Sequence, residues 1–485
     1  MLSVLGQASR ACDGITRRRL LEVAGAGLLG TSFARLAAAE TRPTSRVSRA
    51  RSVIFLFLYG GPSQLETFDM KPAAPDAIRG PFQPIASRTP ELRICEHLPR
   101  TALVSDKFCV VRTLTHPYND HSSAGHYIQT GHPWPIPIGA GFNATPNDWP
   151  SMGSIAQYTQ QSQSAPRKSA RGRTGEMPGY VVLPNSLGRL QEGLVLRRPG
   201  EYAGWLGAPF EPLTTAIDKK TANDNPYWRN CDDAELQFQI QGLAGGKELA
   251  LDRLSGRRSL VDQLDVLRHT LDRGRAVDGY DDFEKRALAL VTSGQARRAL
   301  DIRAESAATR DRYGRHLFGQ ATLMGRRLIE AGVRFVTVHY DCVDGYSWDS
   351  HVSSHDVKNH LLPTFDQAYS ALLTDLDERG LLGETLVVAL GEMGRTPRAT
   401  PQWGRGHWST LFSVLLAGAG VRGGTVYGTS DAQAAYPLDH PTRPEDLAAT
   451  ILDALGIDPE MRIPNSLGRP VSLVDNAQKL DAIFG

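Results

Sequence analysis

Six short runs along the chain are almost continuously apolar: 52–59 (SVIFLFLY), 108–113 (FCVVRT), 180–183 (YVVL), 333–339 (VRFVTVH), 385–390 (TLVVAL) and 411–416 (LFSVLL). Runs this short, without an alternating polar face, predict strands buried on both sides. Gly60-Gly61-Pro62 stops the first and Pro184 the third. Between about 232 and 332 the pattern changes to apolar residues at three- and four-residue spacing, in LVDQLDVLRHTLDRG, FEKRALALVTSG and YGRHLFGQATLMGRRLIEAG, each ending in Gly as helices often do. A further helix is predicted over 364–379, with Phe365, Tyr369, Leu372, Leu373 and Leu376 on one face and Gly380 beyond its end. Strands alternating with helices predict an α/β fold with a largely parallel sheet, and the helical stretch 232–332 reads as an insertion or cap. The polar, basic stretch 159–175 (TQQSQSAPRKSARGRTG) has no periodicity and is expected to be a surface loop.

The first 39 residues follow different rules. Arg17-Arg18-Arg19 stands just before a moderately apolar run, LLEVAGAGLLGTSFARL, which Glu22 and Arg35 interrupt. A spanning helix needs about 20 predominantly apolar residues, so a lasting membrane anchor is not expected. Ala37-Ala38-Ala39 offers a small-residue cleavage site. Residues 1–39 are therefore expected to be a twin-arginine (Tat) signal peptide, with the Tat translocase as partner and a periplasmic or secreted destination. The domain proper is then 40–485. Its composition, 41% apolar and 22% charged, is that of an ordinary globular protein, and a net charge of +2 gives no bulk case for nucleic acid. Cys95, Cys109, Cys231 and Cys342 are scattered without a disulfide framework or a zinc-ribbon spacing, and Cys109 sits inside an apolar strand.

Ligands of open α/β sheets gather at the carboxyl ends of strands. The first strand is followed by Gly60, Gly61, Ser63, Glu66 and Asp69; the second by His116, Asn119, Asp120, His121, Ser122, Ser123 and His126. After 333–339 come Asp341, Asp344, Asp349, His351 and His355; after 385–390 come Glu392 and Arg395; His407 just precedes the run at 411. Imidazoles and carboxylates together suit a divalent metal, with zinc, manganese, iron and calcium all open. Each piece has a plainer reading: Asp349 as a helix cap, Glu392 and Arg395 as an ion pair, the loop histidines as structural, Ser63 as part of a turn. Their clustering at strand ends favours a site.

The ordered series GGPSQLETFDMKP, NDHSSAGHYIQTG, RYGRHLFGQATLMGRRLIEAGVRFVTVHY, GYSWDSH, GEMGRTPR, GRGHW and GGTVYGTSD resembles the DUF1501 family, from about residue 50 to the C-terminus. That family in turn resembles a distant branch of the alkaline phosphatase and sulfatase superfamily, which implies a three-layer α/β/α sandwich. LDERGLLGETLVVAL, RPEDLAATILDALGIDP and LGRPVSL are similar to sulfatase segments. Carried over residue by residue, the resemblance implies Asp349, His351, Glu392 and His407 as metal ligands. Ser122, with His121 beside it, or a metal-activated water would be the nucleophile, and Arg395 would stabilise charge on the transferred group. Met393 stands where the superfamily has His or Asn, Gly60-Gly61 where it has its first metal-binding Asp, and the sulfatase CxPxR motif is absent. The expectation is an exported metal-dependent hydrolase of phosphate or sulfate esters, acting on a small-molecule or polysaccharide ester. The competing expectation is a non-catalytic secreted binding protein on the same scaffold.

Overall fold

All six apolar runs are strands of one sheet in the computed structural model, which describes residues 48–137, 143–163, 177–184, 197–217, 220–221, 224–240, 294–340 and 347–485. In chain order the sheet strands are β1 (Ser52–Leu58), β2 (Phe108–Leu114), β3 (Tyr180–Leu183), β4 (Leu213–Ala216), β5 (Gln239–Ile240), β6 (Phe335–Tyr340), β7 (Thr385–Leu390), β8 (Phe412–Ala417) and β9 (Thr425–Tyr427). Among the described residues they form a nine-stranded sheet in the order β9-β2-β8-β7-β1-β6-β3-β4-β5. The centre is parallel: β1 pairs with β6 on one side and β7 on the other, with Phe57 opposite both His339 and Leu390. Only β8, paired with β2 and β7, and the edge strand β5 run antiparallel to their neighbours.

All seven residues of β1 are buried, and its pleat divides them between two cores. Ile54, Leu56 and Leu58 pack with α3 (Leu317–Glu330) and α4 (Leu362–Glu378). Val53, Phe55 and Phe57 face the other way, where α1 (His121–Thr130), α2 (Met152–Gln163) and α5 (Pro444–Ala454) supply Ile128, Ile155 and Leu447. This is the three-layer α/β/α arrangement, and it explains why the strands read as unbroken apolar runs. Residues 47–485 form one compact unit.

The polar stretch 159–175, expected to be a loop, begins inside α2, which runs to Gln163; its remainder, 164–175, lies outside the described residues. Its first residue, Thr159, is buried and donates its hydroxyl to the Ala156 carbonyl at 3.0 Å within the helix. Within the expected insertion, 241–293 lie outside the described residues, whereas α3 packs directly on β1 and β6. The expected signal segment 1–39 also lies outside them. Among the described residues no helix is long and apolar enough to cross a membrane.

Candidate metal centre

The carboxyl ends of β1, β2, β6 and β7 meet on one edge of the sheet. From β2 the chain runs through His116 to Asp120, whose carboxylate caps α1 by accepting from Ser123 N–H at 2.8 Å. That cap makes His121 the first residue of α1. From β6 the chain arrives at Trp348, 2% exposed and packed edge-on against Tyr340 and Phe365. This anchor fixes the next residue, Asp349, also 2% exposed. β7 delivers Glu392, and a two-stranded ribbon between β7 and β8 places Arg395 opposite His407. Gly60, at φ +111°, closes the β1 turn so tightly that a Cβ there would lie 2.5 Å from Asp349 N.

Asp349 is the hub. Its Oδ1 lies 2.9 Å from His351 Nε2, 3.0 Å from His407 Nε2 and 2.5 Å from Arg395 Nη2. Its Oδ2 lies 3.2 Å from His121 Nε2. The Nε2 atoms of His351 and His407 are 3.0 Å apart, and the His121 and His407 rings meet edge to face at 4.5 Å. One donor atom each from His121, Asp349 and His407 all fall within 4.8 Å of one another. His121 Nδ1 faces Glu392 Oε1 at 2.5 Å. His407 Nδ1–H donates to the Asn119 carbonyl at 2.7 Å.

The electrostatics follow from burial and these neighbours. Burial favours the neutral acid at Asp349, but hydrogen bonds from His121 and His407 and the Arg395 charge outweigh it and hold the carboxyl far below the usual carboxylate range. Burial opposes charge on His121, yet the adjoining Asp349 and Glu392 carboxylates raise its pKa to about 9. His351 is pushed down by desolvation and by the cations around it. His116 is lowered to about 4, chiefly by burial, with its Nε2–H donating to the Glu392 carbonyl at 2.7 Å.

The residues present fit a divalent cation. An imidazole–carboxylate–imidazole donor set is ordinary for such metals. Both His121 and His407 have their Nδ1 engaged elsewhere, leaving Nε2 toward Asp349, as metal-ligating histidines do. His121 Nε2 is buried and faces Asp349 Oδ2 at 3.2 Å.

The singled-out residues that lie within the described part of the chain take the following places. Asp349, His351 and His407 converge. His121, read as the companion of a nucleophile, joins them. Glu392 touches the cluster through His121 and accepts Gly60 N–H at 2.9 and 3.0 Å on its two oxygens. Arg395 is fully buried: besides Asp349 it donates to the carbonyls of Gly60, Gly61 and Arg405. Ser122 is buried in the first turn of α1. Among the described residues it makes no hydrogen bond to the cluster. Asp341 and Asp344 lie outside the described residues, and His355 is surface-exposed beside Asp356 and Asn359. Asn119, named after the second strand without a role, orients His407 through its carbonyl, and Tyr59, whose ring lies 5.3 Å from that of His121, escaped the sequence reading. A backbone carbonyl acts whatever its side chain, so only the position of Asn119 between two loop histidines hinted at its role.

Several solved structures follow a related chain path at great distance. The PsFucS1 sulfatase from Pseudoalteromonas sp. aligns over 87% of this chain and 70% of its own, at 10% identity and TM-score 0.36. The alkaline phosphatase of the Antarctic bacterium TAB5 aligns over 80% and 96%, at 14% identity and TM-score 0.31. The phosphonate monoester hydrolase of Silicibacter pomeroyi aligns over 89% and 76%, at 12% identity and TM-score 0.30. No curated protein matches the chain. The family model described as "Protein of unknown function (DUF1501)" matches residues 50–484, nearly the whole compact unit, and the chain belongs to the DUF1501 family.

Proposed function

We propose that this chain is an exported, metal-dependent hydrolase of phosphate or sulfate esters. The observation that carries the reading is the convergence of His121, Asp349 and His407 within 4.8 Å at the carboxyl edge of the sheet. Asp349 supplies the anionic ligand, kept ionised by the buried Arg395. His121 and His407 present Nε2, and His351, with a side chain 47% exposed, stands on the solvent side of the set. A divalent cation bound there would supply a Lewis acid for an ester oxygen and acidify a water.

Two features refine the roles of the protein groups. The Arg395 donors are spent on carbonyls and Asp349, so in this reading Arg395 holds the metal-binding carboxylate and does not clamp the substrate. Ser122 is buried in α1, which favours water over a serine as the attacking group. The choice of phosphate or sulfate esters rests on the sulfatase-like segments of the sequence, and export through the Tat translocase rests on Arg17-Arg18 and Ala37–Ala39.

A panel of aryl phosphate, phosphonate and sulfate esters, assayed with metal, with chelator and after metal is restored, tests the activity. Expected is turnover of at least one ester class that chelation abolishes and His407→Ala removes. Stoichiometric metal without turnover of any ester would instead favour the binding-protein reading. Fractionation of a bacterial culture tests export: Arg17→Lys combined with Arg18→Lys should retain the chain, at precursor size, in the cytoplasm.

A further inference from the structure

The geometry points to Glu392 as the positioning residue of the centre rather than one of its metal ligands: we propose that it fixes His121 by taking its Nδ1–H, so that Nε2 alone faces the metal. This rests on the metal-centre reading above.

Glu392 is fully buried, and protein donors occupy its carboxylate. Both oxygens accept from Gly60 N–H, at 2.9 and 3.0 Å. Oε1 also lies 2.5 Å from His121 Nδ1. Its own backbone carbonyl accepts from His116 Nε2–H at 2.7 Å, and His116 is held in turn by Tyr118 N–H, which donates to Nδ1 at 3.2 Å. The carboxylate is thus pinned at head and backbone, with His121 as its one imidazole partner. The donor atoms that cluster are those of His121, Asp349 and His407, without Glu392. A carboxylate behind a ligating imidazole fixes the ring's orientation and tautomer and raises its basicity, and its loss typically weakens metal binding 10–100-fold. His407 has the neutral version of the same device, the Asn119 carbonyl on its Nδ1–H. His351 touches the cluster through Nε2, which contacts Asp349 and His407, and through its ring, 4.6 Å from that of His407. The centre is therefore asymmetric, with two oriented histidines and one half-exposed partner.

The test is cobalt(II) and zinc(II) affinity of the full-length protein, by competition with a chromophoric chelator, alongside X-ray absorption of the cobalt-loaded protein. Wild type is titrated first; absence of one-to-one binding there overturns the metal centre itself, and this inference with it. Given wild-type binding, Glu392→Ala should still bind one cobalt, about 10–100-fold more weakly, with the count of oxygen and nitrogen donors unchanged and a shifted visible ligand-field band. Glu392→Gln, whose amide oxygen can still accept from Nδ1–H, should fall between, and it serves as the readout if the alanine variant does not fold. An affinity unchanged in both variants overturns the positioning role. Loss of one oxygen donor from the cobalt shell in either variant overturns it too, because Glu392 would then be a ligand.

Discussion

At the scale of single residues, the centre separates side chains that hold the protein together from those that serve the site. Arg395 is fully buried with a carboxylate and three carbonyls around it. Arg395→Met leaves Asp349 buried without its cation and should cost about 3–5 kcal/mol in urea unfolding, the usual cost of breaking a buried pair. His407, whose side chain is 20% exposed, carries a smaller load. His407→Ala removes its hydrogen bonds to Asp349 and the Asn119 carbonyl and should cost about 1–3 kcal/mol, less than Arg395→Met, while abolishing stoichiometric metal binding. A large stability loss with metal retained would reverse these assignments. The residue types were legible from the sequence, and so was the grouping of Asp349, His351 and His407. The role of each was not. Nothing in the spacing tells that His121 at the start of α1 reaches Asp349, because that contact depends on how the loop after β2 folds across the ends of β1 and β6. Glu392 and a metal-binding carboxylate also look alike in sequence; the positioning role proposed for Glu392 rests on its Gly60 N–H and His121 Nδ1 contacts.

At the scale of elements, the six apolar runs were legible because strands buried on both faces leave no polar register to obscure them. Leu56→Ala in β1 removes a side chain buried in the core beneath α3 and should cost about 2–5 kcal/mol. The short strands β4, β5 and β9 were not legible: they lie at or near the sheet edges, β4 alternates buried with part-buried positions, and β9 is part-buried throughout. The start of α3 was equally hidden, since histidine is not a usual cap. His316 Nδ1 accepts from Gly319 N–H at 3.1 Å, and burial pushes its pKa down to about 3. In the unfolded chain it would titrate near 6.5. Below that pH the unfolded state binds the extra proton, so stability falls as pH drops from about 6.5 toward the folded value, by up to about 1.4 kcal/mol per pH unit. His316→Asn keeps a capping acceptor without the titration. Chemical denaturation between pH 7 and 5 should show a shallower decline for this variant; an unchanged slope would mean His316 is not neutral in the folded protein.

At the scale of the whole molecule, the pH dependence of the metal-free protein has two opposed limbs. His116 and His126, each lowered to about 4 by burial, add to His316 on the acid side. His121 works the other way: its pKa, raised to about 9, contributes stability that is complete below the unfolded value and lost as pH rises through the folded one. Stability without metal should therefore peak near about pH 6.5, and the alkaline limb should disappear in His121→Gln. The architecture serves this arrangement. A sheet sealed by helices on both faces leaves its carboxyl edge as the place where four chain segments can bring polar groups together. The centre's existence is the claim on which the proposed chemistry depends. Anomalous diffraction from crystals soaked in zinc or manganese tests it most directly. The expected result is a peak about 2.0–2.2 Å from Nε2 of His121, Nε2 of His407 and an oxygen of Asp349. No peak there, or a metal bound only at other residues, would contradict it.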